Sequence, residues 1–151
     1  MAATLRGVGI VYRIDQQLDC TIVVWDGDIT ADDHVQHLLR LAADPDWPPA
    51  RHLTDLTTVG EVALPDPLLM DALVEGSPMR DEIAKVIIVR PGFLGEHWIQ
   101  DSGASATGVP EVCTNVEAAC VYLGVDPTVM RSKLVELRSP LDSTRLVDPY
   151  R

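Results

Sequence analysis

The chain has 151 residues, 46% of them hydrophobic and 23% charged, which is enough to bury the core of one domain and too apolar for an intrinsically disordered segment. Its formal net charge of -11, with the twelve Lys and Arg scattered from Arg6 to Arg151, opposes binding to nucleic acid or anionic lipid, both of which need accumulated positive charge. No apolar run reaches the roughly 18 residues of a membrane span and no signal-like leader follows Met1, so a cytoplasmic protein is expected.

Val8 to Ile14 and Thr21 to Trp25 are β-branched runs around the polar turn Asp15-Gln16-Gln17, which predicts an opening hairpin. Thr30 with Asp33 three residues on reads as a helix N-cap, and Val35, Leu38, Leu39 and Ala42 follow at helical spacing as the expected apolar face. After the Pro-rich link Pro45 to Pro49, Leu53 to Leu56 predicts a short third strand ending at Thr57, Thr58 and Gly60. Asp66-Pro67 opens a second helix carrying Leu69, Ala72 and Leu73. Val86 to Val89 is a continuous apolar run and predicts a strand buried on both faces, with Lys85 at its edge.

Downstream, a helix is expected from Phe93 to Asp101, then a loop over Gly103 to Gly108, a short strand over Glu111 to Cys113, and a helix from a capping box at Thr114 to Leu123, stopped by Gly124. Asp126-Pro127 starts a last helix to Arg138 on which Met130, Leu134 and Leu137 form one apolar stripe. Residues 139–151 read as a loosely ordered tail. Strands alternating with helices after an antiparallel opening predict an α/β domain with a mixed, mostly parallel five-stranded sheet flanked by helices.

The segments Trp25-Asp26-Gly27-Asp28-Ile29-Thr30, Ala43-Asp44-Pro45-Asp46, Leu53 to Val59 and Lys85 to Val89, with the Glu117 to Leu123 helix, resemble the SpoIIAA-like family of STAS-type domains over residues 9 to 124. The resemblance implies a STAS-like domain over 1–124, with the helix of 125–138 and the tail lying beyond it. Its motifs are turns, caps and core strands, which specify fold better than activity. STAS antagonists of anti-sigma factors carry a phosphoacceptor serine at the start of the second helix, and the matching stretch here, Val62 to Pro67, has no hydroxyl. The lipid carriers of the CRAL-TRIO type share an α/β architecture, and suggest a small apolar ligand as an alternative occupant.

The residues that could carry chemistry are few. Asp26 to Asp32 imitates a calcium loop but has Ala31 at the sixth position and His37 at the twelfth, where glycine and glutamate are needed. His34 and His37, three apart on the expected polar side of the first helix, would need a third ligand to hold a metal, so no metal or cofactor is expected. Cys20, Cys113 and Cys120 contain no C-x-x-C pair and read as small buried hydrophobes, and a Cys113 thiol paired with His97 or His52 is a remote option. Gly103 to Gly108 lacks the Lys-Ser/Thr of a phosphate-cradling loop.

Asp55, Thr57 and Thr58 are the favoured ligand-binding residues, because open α/β sheets bind ligands outside the carboxyl ends of their strands. Phe93 and Trp98 could line a cleft between helix and sheet. Met130, Leu134 and Leu137 are expected either to pair two copies as a homodimer or to dock on their own domain. The functional expectation is a non-enzymatic module that binds a protein partner or a small ligand, with an apolar carrier and an enzyme assembled from distant residues as alternatives.

Overall fold

The structure is a computed structural model that describes residues 9–63, 66, 68, 83–92 and 110–147, with side chains as far as 139. Its elements run β1 (Ile10–Asp15), β2 (Cys20–Ile29), α1 (Ala31–Ala43), β3 (Arg51–Val62), β4 (Ala84–Ile88), β5 (Glu111–Cys113), α2 (Val116–Leu123) and α3 (Pro127–Val147). The five strands form one sheet in chain order, β1 antiparallel to β2 and every later pair parallel. This is the mixed, mostly parallel α/β sheet that the strand and helix alternation predicts.

Side chains alternate across the sheet and divide the core into two layers. On one face Cys20, Ile22, Val24, Leu53, Val86 and Ile88 pack beneath α2 and α3, joined by Ala119, Cys120, Leu123, Met130 and Leu134. On the other face Ile10, Val23, Trp25, Leu56, Ile87 and Val89 form the second cluster. Val86 to Val89 is buried throughout, as a run without a polar face requires. Lys85 does not lie at an exposed edge: it is buried in β4, paired with His52 of β3.

Both long strands outrun their predicted ends. β2 continues through Asp26-Gly27-Asp28 by register shifts on either side of Gly27, whose φ of 70° a β-carbon would disfavour, so the first four residues of the calcium-like segment are strand and the rest are the cap and first turn of α1. β3 follows it to Val62, because Thr57, Thr58 and Val59 are β-branched and find a partner in the extended β2. Asp28 stitches the two together by accepting the Glu61 N–H at 2.9 Å.

The capping signals translate closely. Thr30 Oγ1 accepts the Asp33 N–H at 3.0 Å and the Asp33 carboxylate accepts the Thr30 N–H at 2.9 Å, a complete capping box. Asn115 rather than Thr114 caps α2, accepting the Ala118 N–H at 2.8 Å, and Gly124 ends it in the left-handed region at φ 74°. Asp126 Oδ1 accepts the Thr128 N–H at 2.8 Å at the head of α3. Asp66 accepts the Leu68 N–H at 2.8 Å, but the helix expected to carry Leu69, Ala72 and Leu73 lies outside the described residues.

The two expectations about helix surfaces fare differently. In α1 the buried residues are His34, His37 and Leu41, while Leu39 and Ala42 are exposed, so the helix is rotated away from the apolar stripe and its histidines face inward. The aromatic floor explains this: Trp25 meets the His34 ring edge-on at 5.0 Å, and Tyr12 meets His37 at 5.8 Å. In α3, Met130 and Leu134 are core and Leu137 packs against it, so the stripe docks on its own domain, one of the two arrangements expected for it. The helix also runs on to Val147, so residues 139–147 continue it instead of forming a loose tail. Pro140 removes one backbone donor without ending the helix.

Candidate functional site

Asp55, Thr57 and Thr58 do come together, but inside β3. Asp55 is the last β3 residue paired with β4, opposite Ile88, and the threonines stand where β3 runs past its neighbour. Asp55 Oδ1 accepts both the Thr57 N–H at 2.9 Å and the Thr57 hydroxyl at 2.7 Å. The other carboxylate oxygen is taken by Arg138 of α3, whose Nη2 donates to it at 2.8 Å, while Nη1 donates to Thr58 Oγ1 at 2.9 Å. The trio is therefore a clasp that fastens the last helix to the sheet, with its acceptors already used. Arg138 is eight positions beyond Met130 and four beyond Leu134, on the same helix face, and a cation ending a buried stripe is the signal that could have disclosed it.

Phe93 and Trp98 lie outside the described residues, as does His97. Cys113 is half-buried on the face beneath α2, opposite the face that carries His52, so these two form no thiol–imidazole pair. Burial pushes Cys20 up to about 12 and Cys120 up to about 11, and raises Cys113 as well, which keeps all three as thiols at neutral pH.

The polar groups that sequence reasoning passed over lie under α1. Thr21 on β2, His52 on β3 and Lys85 on β4 are register neighbours in one row of the sheet, on the face that also carries Val23, Trp25 and Ile87. Thr21 is fully buried and Lys85 nearly so. His52 spans the boundary, since part of the residue reaches the surface while Nδ1 is enclosed. From above, His37 comes close enough to His52 for their charges to interact, and His34 follows one turn away.

Burial drives each of these imidazoles toward its neutral form. His34 falls to about 4 by burial; His37 falls to about 3 by burial, with His52, His34 and Arg40 adding repulsion; His52 falls to about 4 by burial and the nearby Lys85 ammonium. A third imidazole thus does approach the His34 and His37 pair, yet among the described residues no three His, Cys, Asp or Glu side chains are grouped to hold a metal ion.

Buried polar atoms are normally hydrogen-bonded, and an exception asks for an explanation. Thr21 Oγ1 and His52 Nδ1, adjacent in the same row, are enclosed and have no partner. His34 Nδ1 in the overlying helix and Trp47 Nε1 in the connection from α1 to β3 share that condition. All four belong to α1, to the connection leading out of it, or to the sheet face beneath it.

No family model and no curated protein matches the chain. Among solved structures it is similar to an uncharacterized protein of the DUF3478 family from Shewanella loihica, described as having a SpoIIAA-like fold, at 21% identity and a TM-score of 0.48 over 76% of this chain and 94% of that one.

Proposed function

We propose that this chain is a non-enzymatic binding module that holds a small polar ligand between α1 and the sheet. The observation that carries the reading is the adjacent pair Thr21 Oγ1 and His52 Nδ1, buried together without partners beside a buried lysine. A buried hydroxyl or imidazole that lacks a partner costs about 1–3 kcal/mol, and a bound molecule offering matching groups removes that cost. The Asp55 clasp supports the reading from the other side, because the carboxyl end of the sheet is occupied by the chain's own Arg138. The net charge of -11 supports a freely diffusing cytoplasmic protein that keeps clear of nucleic acid.

Mass spectrometry of the purified chain under non-denaturing and denaturing conditions tests this. The expected result is a small polar adduct present in the first spectrum, absent from the second, and depleted in Thr21→Val. Equal masses in both spectra would overturn it. A lipid-like adduct extractable into organic solvent would replace it with the apolar carrier.

A further inference from the structure

We propose that α1 is an acid-released cover, a helix that lifts from the sheet as a unit on acidification while the strands, α2 and α3 stay folded. The device is the cluster of imidazoles between helix and sheet. His34 and His37 are turned inward with Leu41, while Val35 and Leu38 are only half-buried and Leu39 and Ala42 face out. A single aliphatic side chain of α1 is thus fully buried. On the other face α2 and α3 seat Ala119, Cys120, Leu123, Met130 and Leu134 in the core. Helices in a fold are held mainly by the apolar face they bury, so α1 is the more weakly anchored and the first to open.

The groups facing the two imidazoles do not favour a proton there. From β2 the Trp25 ring meets His34, from β1 the Tyr12 ring meets His37, and from β3 His52 approaches His37, with Lys85 of β4 acting on His52. Arg40 adds positive charge from α1 itself. The acids of α1 and its caps are turned elsewhere: Asp33 accepts the Thr30 N–H, Asp32 is exposed, and Asp44 accepts the Tyr12 hydroxyl at 2.9 Å. An imidazolium formed under α1 is a buried cation, and lifting the helix returns it to water. An imidazole in water takes its proton near pH 6.5, whereas burial drops His34 to about 4 and His37 to about 3, so the lifted helix binds more protons and closure weakens as pH falls below about 6.5. The topology lets α1 leave alone, because β2 and β3, which it connects, pair with each other directly from Cys20 and Arg51 to Ile29 and Val62. The opposite layer holds no imidazole among the described residues, and its acid, Asp15, is matched by Lys133 at 3.1 Å and Arg13 at 3.7 Å. Release would also open the binding layer proposed above, a consequence that rests on that reading, whereas the cover itself does not.

Hydrogen exchange of the full chain, followed by mass spectrometry at pH 7.5 and pH 5 and corrected for the intrinsic pH dependence of exchange, tests this. Between those values each imidazole shifts the opening equilibrium by roughly thirtyfold, so the pair should lower the protection of α1 by roughly a thousandfold. At pH 5 the amides of α1 should exchange with little protection while those of β2 to β4 and α2 remain protected. The double variant His34→Leu, His37→Phe should keep its α1 protection at pH 5 within roughly tenfold of that at pH 7.5. Should the variant fail to fold, the exchange profile of the natural chain decides alone. Amides of α1 that exchange no faster than those of β2 to β4 at pH 5 would mean that the domain opens as a whole, and would overturn the proposal. Protection of α1 unchanged between the two pH values would overturn it as well.

Discussion

Acidification should destabilise this fold well above the pH at which carboxylates titrate, because His34 and His37 are buried in the neutral form. In the unfolded chain an imidazole takes its proton near pH 6.5, whereas in the fold it waits until about pH 4 for His34 and about 3 for His37. Between those values the unfolded state binds more protons, so stability is complete above about pH 6.5 and falls as pH drops below it. Each histidine contributes a slope of about 1.4 kcal/mol per pH unit. By pH 5 the loss reaches about 2 kcal/mol for each of the two, or about 4 kcal/mol together, and the partly exposed His52 adds a smaller share.

A domain of this size loses roughly 2–4 °C of melting temperature per kcal/mol, which places the expected drop between pH 7.5 and pH 5 at about 8–16 °C. Asp15 works in a different window. Burial alone would raise it, but the Leu18 N–H, Lys133 and Arg13 outweigh burial and hold its carboxyl below the usual range. Its contribution is lost only as pH falls through that lowered value. Urea unfolding at pH 7.5, 6.5, 5.5 and 5.0 measures the slope, and His37→Phe, which keeps an aromatic ring against Tyr12, should remove its own share. A stability constant to within about 0.5 kcal/mol from pH 7.5 to pH 5 would refute the burial of neutral imidazoles under α1.

Arg138→Met should cost about 3 kcal/mol in urea unfolding, because it leaves the buried Asp55 carboxylate without its cation. A cost under about 0.5 kcal/mol would show the clasp to be incidental. Leu134→Ala should cost about 2–5 kcal/mol from lost burial and a residual cavity, and truncation after Gly124 should yield an unfolded chain by circular dichroism instead of a smaller folded one. Light scattering of the full chain should show no assembly that depends on Met130 or Leu134, since both are inside the domain. Iodoacetamide at pH 8 should label Cys113 in the native protein well ahead of Cys20 and Cys120, and equal labelling would contradict their burial.

Much of the fold is legible in the sequence, because its signals are local. Caps at Thr30 and Asp126, the left-handed stop at Gly124 and the unbroken run Val86 to Val89 each specify a backbone state without reference to distant residues. Strand ends were harder to read: Thr57, Thr58 and Asp26-Gly27-Asp28 carry turn chemistry, and only the mutual pairing of β2 and β3 makes them strand. The site was not legible for a related reason. Periodicity assigns Val35, Leu38, Leu39 and Ala42 to the core, but the rings of Tyr12 and Trp25 favour imidazoles above them, and that preference is visible only after folding. Thr21, His52 and Lys85 are likewise far apart in the chain and become neighbours through the register of three strands.

Electron density around Thr21 Oγ1 and His52 Nδ1, in crystals grown without carboxylate, phosphate or sulfate, tests the central claim most directly. The account predicts a bound small polar ligand within hydrogen-bonding distance of both atoms, retained from the expression host. Water molecules alone between the two, or side chains packed against each other with no intervening density, would contradict it.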